Sequence, residues 1–78
     1  MFSFHDHLKS VRKLHGVTQK QVANSLEITE TLYQKYEHGK VKPSFDNLIA
    51  IADYFNVSLD YLVGLSDEPR TLRKDEEL

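Results

Sequence analysis

A short stretch near the middle of the chain carries polar side chains that can form hydrogen bonds with the edges of DNA bases. Spacings of three, four and seven residues place Thr31, Gln34, Lys35 and His38 on one face of a helix, next to Glu30. A lysine can donate to guanine O6 or N7, a carboxylate can accept from cytosine N4, and a threonine can contact a thymine methyl. A polar face of this kind does not contribute to the packing of a hydrophobic core. These residues therefore predict that a short helix contacts base pairs in the major groove.

A second group of side chains flanks this helix and suits the phosphates of the same duplex. Gln19 and Lys20 stand at the start of the preceding helix, and Lys40 and Lys42 follow the polar helix. Helix N-termini have free backbone N–H groups and the positive end of the helix dipole, and both favour phosphate. We therefore expect these four residues to form the phosphate contacts.

Several residues of the short helix also have a simpler interpretation. A lysine on an exposed helix face, such as Lys35, is often only solvated. Glu30 stands in a first helical turn, where an acid can serve only to complement the helix dipole. Tyr33 and Tyr36 are three residues apart and share a face, so we expect both rings to pack inward rather than to stack on bases.

The four histidines do not form a metal-binding or catalytic motif. His5 and His7 are two residues apart and point to different sides of a helix, and neither His15 nor His38 belongs to an H-E-x-x-H sequence. The chain has no cysteine, and its sequence shows no glycine-rich phosphate loop and no paired-carboxylate site. We therefore predict no metal, no cofactor and no enzymatic activity.

The first helix that must support this surface is predicted from Phe4 to about His15. Ser3 can cap its start, and Gly16 can end it in the left-handed conformation. Its apolar positions, which recur at helical spacing, are Phe4, Leu8, Val11 and Leu14.

The next two helices are predicted to meet at a tight corner. Thr18 and Gln21 form the capping box T-x-x-Q at the start of the second helix. Thr29 caps the third helix and Gly39 ends it. Only residues 27–29 separate the two, and a connection this short favours a helix-turn-helix corner.

Two further helices complete an all-α, compact five-helix domain. Ser44 caps the fourth helix, and Ser58 caps a short fifth helix that ends at Gly64. The core-facing positions of the fourth helix are Leu48, Ile51, Ala52 and Phe55. We assign residues 1–65 to the helix-turn-helix domain and residues 66–78, which are almost all polar, to a flexible C-terminal tail.

Charge is distributed unevenly along the 78 residues, although the net charge is only -2. Residues 1–43 hold seven lysines and arginines against four acids, a net charge of +3, whereas residues 44–78 hold three against eight, a net charge of -5. The basic half can approach phosphates while the acidic half faces away. No apolar run approaches the ~18 residues of a membrane span, and the N-terminus lacks a signal sequence, so we expect a cytoplasmic protein without a membrane partner.

Together these motifs resemble the lambda-repressor/Cro-like, or Xre-type, family of helix-turn-helix regulators. The resemblance extends from about Leu8 to Leu65, roughly three quarters of the chain. The matching motifs are Leu8, Arg12 and Gly16, Thr18-Gln19, Val22-Ala23, Tyr36-Glu37-x-Gly39, Pro43-Ser44, and Asp60-Tyr61-Leu62-Val63-Gly64. Each motif is weak alone, but their joint spacing is specific.

The resemblance implies a lambda-repressor-like domain that binds a double-stranded DNA operator, usually as a two-fold dimer, and represses or activates transcription. It implies that Gln19 contacts phosphate and supports the third helix, and that Arg12 and Glu37 form a buried ion pair. The base-facing positions that it implies are Glu30, Thr31 and Lys35. Glu27 stands at a turn position where the family usually has glycine, and a left-handed conformation there costs about 1 kcal/mol.

The sequence thus predicts a sequence-specific DNA-binding transcriptional regulator, a repressor of phage or mobile-element type, with the third helix in the major groove. The predicted homodimer contact consists of Val57, Leu59, Tyr61 and Leu65. A protein antirepressor is a candidate partner. The alternative is an antitoxin-like or adaptor module that uses the same fold to bind another protein, which the acidic tail and the negative net charge favour.

Overall fold

The computed structural model of this protein describes residues 2–69. Every regular element in that range is a helix, which confirms the prediction of an all-α, five-helix fold. The helices are α1 (Phe4–Leu14), α2 (Gln19–Leu26), α3 (Glu30–Glu37), α4 (Phe45–Phe55) and α5 (Leu59–Leu62).

Side-chain caps begin four of the helices at the predicted residues. The hydroxyl oxygens of Thr18, Thr29, Ser44 and Ser58 each accept a hydrogen bond from the backbone N–H three residues ahead. At α2 the Gln21 side-chain oxygen also accepts from the Thr18 backbone N–H over 2.8 Å, which completes the predicted capping box. Each cap stabilises its helix by about 1 kcal/mol.

The predicted side-chain cap of α1 is wrong. Ser3 does occupy the position before the helix, but its hydroxyl makes no bond to a backbone N–H there. Its oxygen lies 3.1 Å from His5 Nδ1 instead. The imidazole competes for the hydroxyl, so the first N–H groups of α1 have no side-chain acceptor from Ser3.

The apolar face of α1 also ends differently from the prediction, because Leu14 is 80% exposed. With about 3.6 residues per turn, the position in line with Leu8 after two turns is His15 and not Leu14. The His15 ring packs against the Phe55 ring with centroids 4.9 Å apart, and its Nε2 lies 3.1 Å from the Phe55 carbonyl oxygen. A histidine therefore closes the face that the sequence assigned to a leucine.

The hydrophobic core lies where all five helices meet. Helix α2 packs against α3 and α4, α1 packs against α3 and α5, and α4 packs against α5. The largest fully buried side chains are Tyr33, Leu8, Ile51, Leu62, Val11 and Val22. Helices α2 and α3 are thus fixed to one another and to the remaining helices.

Two non-glycine residues adopt the left-handed conformation where a helix ends. Glu27 has φ 59° at the end of α2, and Asn56 has φ 56° at the end of α4. At the first of these turns the Ile28 N–H donates to the Ala23 carbonyl over 3.1 Å, which satisfies a terminal carbonyl of α2. The turn between α2 and α3 therefore keeps the geometry that glycine would adopt, with glutamate in its place.

The N-terminal segment packs over the end of α5. A Cβ atom at Gly64 would lie only 2.6 Å from Phe2 Cε1, so the close approach of the Phe2 ring depends on glycine at that position. The His7 ring lies between Phe2 and Tyr61 in tilted and edge-to-face contacts, with ring centroids 5.4 Å and 4.9 Å away, and its Nε2 lies 3.1 Å from the Tyr61 carbonyl oxygen. These rings hold the start of the chain against α5.

After α5 the chain returns to the first turn of that helix. The Ser58 backbone N–H donates to the Pro69 carbonyl over 2.9 Å, and the Ser58 hydroxyl lies 3.4 Å from the Glu68 carbonyl oxygen. The remainder of the predicted tail, residues 70–78, lies outside the described residues. None of the helices in the described range has the length and apolar character needed to cross a membrane.

Candidate nucleic-acid interface

The corner formed by α2 and α3 presents one side of α3 to solvent and buries the other. Tyr33, Tyr36 and Glu37 are buried on the inner side. The two tyrosine rings meet edge to face with centroids 6.1 Å apart, in agreement with the prediction that they pack inward. The core therefore anchors α3 through aromatic rings and leaves its opposite face uncovered by the described residues.

The outer face of α3 carries the predicted base-contacting residues. Glu30, Thr31, Lys35 and His38 are exposed, and Gln34 is partly buried. Their side chains form a polar stripe about two turns long, and the helix rises roughly 1.5 Å per residue. A stripe of this length is short enough to follow the edges of a few adjacent base pairs in a major groove.

An ion pair fixes α3 to α1 at the base of this surface. Arg12 Nε donates to Glu37 Oε2 over 2.6 Å, and Arg12 Nη2 donates to Glu37 Oε1 over 3.1 Å. Arg12 Nη1 also donates to the Val17 carbonyl over 3.0 Å, and Gln19 Nε2 donates to Glu37 Oε1 over 3.0 Å. One carboxylate therefore joins α1, the start of α2 and the end of α3.

The ion pair is largely removed from water, and this changes the acidity of both partners. Their side chains are 13% exposed for Arg12 and 1% for Glu37. Burial alone would raise the pKa of Glu37, but the hydrogen bonds from Arg12, the nearby Tyr33 phenol and the hydrogen bond from Gln19 outweigh it, so the pKa of that carboxyl lies below its usual value. The hydrogen bond to Glu37 likewise raises the pKa of Arg12. Both groups are therefore charged in the folded protein at neutral pH.

Tyr33 lies beside this ion pair at the centre of α3. Its side chain is fully buried, and burial raises the pKa of its phenol well above the usual value. The Tyr33 hydroxyl has no hydrogen-bond partner within residues 2–69. Tyr33 therefore contributes mainly the packing of its ring to the position of α3.

The residues predicted to contact phosphates differ in exposure and in the contacts that their side chains already make. Lys20, Lys40 and Lys42 are exposed, and none of them forms a salt bridge with another residue of the described range. Gln19 is partly buried, and one of its amide N–H groups is already bonded to Glu37. Exposed lysines thus precede and follow α3 in the chain, and Gln19 links the start of α2 to the ion pair.

One contact near this surface was not apparent from the sequence. Asn47, in the first turn of α4, donates through its side-chain amide to the Tyr36 hydroxyl over 2.9 Å. The two residues are eleven positions apart, and the pattern of each helix on its own gives no sign that they touch. This bond fixes the start of α4 relative to the end of α3.

The residues predicted to form the dimer contact differ in how exposed their side chains are. Val57 is 6% exposed and packs in the core of its own protomer, whereas Leu65 is 78% exposed. Leu59 and Tyr61 are partly buried and pack against the core. Leu65, with the outer parts of Leu59 and Tyr61, therefore supplies the accessible apolar surface in this group.

Within the described part of the chain, no group of three or more histidine, cysteine, aspartate or glutamate side chains is placed to hold a metal ion. The candidate interface combines three features. They are a polar stripe on a fixed helix, exposed lysines before and after that helix in the chain, and a buried ion pair that holds the helix in place.

Comparison with known families identifies the fold independently. The helix-turn-helix family matches residues 8–62, which is more than half of the chain. The chain belongs to the helix-turn-helix family. This result confirms the resemblance to Xre-type, lambda-repressor-like regulators that the motifs indicated.

Individual relatives are named as transcriptional regulators. The chain is 41% identical over 59 residues to the cryptic phage CTXphi transcriptional repressor RstR of Vibrio cholerae, covering 76% of this chain and 53% of the repressor. It is 39% identical over 62 residues to the uncharacterized HTH-type transcriptional regulator YobD of Bacillus subtilis, covering 80% of this chain and 55% of that protein. The chain thus spans about half the length of these curated relatives.

Two solved structures share the architecture. A transcriptional regulator from Listeria innocua superposes with a TM-score of 0.76 at 31% identity, covering 96% of this chain and 67% of that one. The P22 c2 repressor, solved in complex with a synthetic operator, superposes with a TM-score of 0.77. Its identity is 18%, and the match covers 85% of this chain and all of the repressor chain, so this similarity concerns the fold.

Proposed function

We propose that this protein is a sequence-specific, double-stranded DNA-binding transcriptional regulator, a repressor of phage or mobile-element type, whose α3 enters the major groove. The observation that carries the proposal is the polar outer face of α3, exposed near lysines that are also exposed, on a helix that the core and a buried ion pair hold in place. Its membership of the helix-turn-helix family and the repressor name of a relative support the same role.

Base recognition belongs to the outer face of α3 in this proposal. Lys35 donates to a guanine, Glu30 accepts from a cytosine amino group, and Thr31 contacts a thymine methyl. Gln34 and His38 belong to the same stripe. Because each good base contact discriminates by about 1–3 kcal/mol, two or three of them suffice for a preferred sequence.

Phosphate contacts hold α3 in register along the groove. Lys40 and Lys42 lie after α3, and Lys20 lies in the first turn of α2, where the helix dipole adds to its charge. Gln19 keeps one amide N–H on Glu37 and has a second that can donate to a phosphate. Through Gln19, the ion pair thereby connects a phosphate contact to the position of α3, the helix proposed to contact the bases.

The proposal includes a homodimer that acts on DNA in the cytoplasm. A two-fold pair places its recognition helices in successive major grooves on one side of the duplex, about one turn apart. The proposed contact is the apolar surface of the α5 region, with Leu65, Leu59 and Tyr61 at its surface and Val57 behind them. A protein antirepressor that covers α3 or this contact would release the operator. We propose a binding role for the chain rather than a catalytic one.

The experiment is selection of bound sequences from a random duplex pool, followed by titration of the selected duplex and of random DNA. Lys35→Ala is expected to lose about tenfold on the selected duplex and much less on random DNA. Lys42→Ala should weaken binding to both duplexes alike and reduce the salt slope by about 0.9. Lys13→Ala removes an exposed lysine of α1 outside the interface and serves as the matched control.

Two results would contradict the proposal. If the wild-type protein binds no duplex even at low salt, the alternative of a protein-binding adaptor takes its place. If Lys35→Ala weakens binding to the selected and random duplexes equally, α3 does not recognise sequence through Lys35.

A further inference from the structure

An exposed aromatic ring stands at the edge of the candidate interface. Phe45 is the first residue of α4, and 67% of its surface is exposed. The core-facing side of α4 is formed by other residues, among them Ile51 and Phe55. The Phe45 ring is therefore not required by the protomer's own core.

Two hydrogen bonds tie the start of α4, where this ring stands, to the end of α3. The Ser44 hydroxyl caps α4 through the Asn47 N–H over 3.2 Å, and the Asn47 side chain donates to the Tyr36 hydroxyl over 2.9 Å. The first turn of α4 is thus joined to the last turn of α3. The connecting segment between them carries Lys40 and Lys42, which are exposed and form no salt bridge with another residue of the range 2–69.

A DNA backbone offers two kinds of surface to such an edge. Phosphates attract lysines, and the deoxyribose between successive phosphates presents C–H groups that an aromatic ring can cover. Asp46, the next residue of α4, is exposed and would repel a phosphate placed at the end of the helix. This acid favours an apolar contact beside the helix start over an anion at its end.

We propose that Phe45 packs against a deoxyribose of the operator backbone, next to phosphates held by Lys40 and Lys42. The contact is independent of sequence and of salt, because covering apolar surface releases no counterions. It rests on the proposed function, and it adds to that function an apolar anchor in the sugar-phosphate contact.

The competing occupant is a second copy of this chain. Ile49 is 40% exposed and lies one turn from Phe45, four residues along α4, so both side chains lie on one side of that helix. A protein partner would cover Ile49 as well as Phe45. A sugar contact at the helix start would leave Ile49 in water.

The test measures affinity on a full two-fold operator, on a single half-site and on random DNA. Phe45→Ala should weaken binding about fivefold to tenfold on all three, with an unchanged salt slope, because the ring is lost but no cation is. Phe45→Leu should retain most of the affinity, and Ile49→Ala should match the wild type. Thermal unfolding of each variant checks that its fold is intact.

Two outcomes would overturn the proposal while the proposed function stands. One is an unchanged half-site affinity for Phe45→Ala. The other is a loss confined to the full operator and shared by Ile49→Ala, which would assign this side of α4 to a second copy. If the wild type binds no duplex at all, the proposed function fails, and the role of Phe45 fails with it.

Discussion

At the scale of single residues, one carboxylate determines how the interface is held. Glu37 accepts hydrogen bonds from Arg12 and Gln19, and its side chain is 1% exposed. Removing one partner of a buried ion pair is costly because the other charge is left in a poorly solvated position. The Arg12–Glu37 pair is therefore a structural contact whose loss would leave a poorly solvated charge without its partner.

Glu37→Gln is expected to lower the free energy of unfolding by about 3 kcal/mol at pH 7, because Arg12 loses its carboxylate. The pKa of Glu37 is lowered in the folded protein, so its stabilisation is complete above the ordinary pKa of that carboxyl, about 4.5, and is lost as the pH falls through the folded value. Urea unfolding between pH 7 and pH 3 should show this loss in the wild type.

The matched control is Asp53→Asn, which removes an exposed acid of α4 that pairs with no other described residue. Asp53→Asn should keep the wild-type pH dependence, whereas Glu37→Gln should flatten it below pH 4.5. Equal pH dependence in the wild type and in Glu37→Gln would show that Glu37 does not supply the acid-sensitive stability.

At the scale of elements, the turn between α2 and α3 carries a measurable strain. Glu27 has φ 59° and ψ 38°, a conformation that disfavours any side chain with a Cβ atom. Glu27→Gly is expected to raise the free energy of unfolding by about 0.5–1 kcal/mol, because relief of this strain exceeds the added entropy of an unfolded glycine. Chemical denaturation measures the change.

Asn56→Gly provides the comparison, since Asn56 has φ 56° at the end of α4. Asparagine tolerates the left-handed conformation better than glutamate does, so its replacement should stabilise the protein less. A loss of stability in Glu27→Gly would mean that the Glu27 side chain makes a favourable interaction that compensates for its backbone.

The starts of α2 to α5 could be predicted from the sequence because each depends on residues close together in the chain. Thr18 with Gln21, and Ser44 with Asn47, find their partners three residues ahead, so local spacing suffices. The end of α1 could not be predicted as well. Whether Leu14 or His15 contacts α4 depends on where Phe55 lies, and that is a tertiary contact.

The features of the candidate site also divide into those that local spacing predicts and those that depend on tertiary contacts. The polar face of α3 follows from helical spacing alone, and the structure places these side chains outward or partly so. The contacts of Gln19 with Glu37 and of Asn47 with Tyr36 join helices whose relative placement the sequence does not state. How deeply Val57 is buried in the core of its own protomer likewise depends on how α4 and α5 pack together.

At the scale of the whole molecule, charge and apolar surface are separated along the chain. The basic residues belong mainly to the part before α4, and the acids belong mainly to α4, α5 and beyond. The accessible apolar surface of the α5 region includes Leu65, which is 78% exposed. In the proposed dimer, DNA and a second protomer therefore contact different parts of each chain.

Leu65→Glu is expected to weaken binding to a two-fold operator by about tenfold or more and to leave half-site affinity unchanged, because it places a charge in the proposed contact. Leu14→Glu is the matched control, since Leu14 is 80% exposed at the end of α1 and outside that contact. Binding titrations on the two duplexes measure both. An equal response of the two variants on the full operator would rule out this part of the α5 region as the dimer contact.

The packing of the Phe2 ring over Gly64 has a consequence for the evolution of related chains. A methyl group at position 64 would approach the ring to 2.6 Å, so a larger residue there would displace the aromatic side chain. Relatives that lose the glycine should therefore carry a small or polar residue at position 2. Those that keep an aromatic at position 2 should keep the glycine, and the two sites should covary although 62 positions separate them.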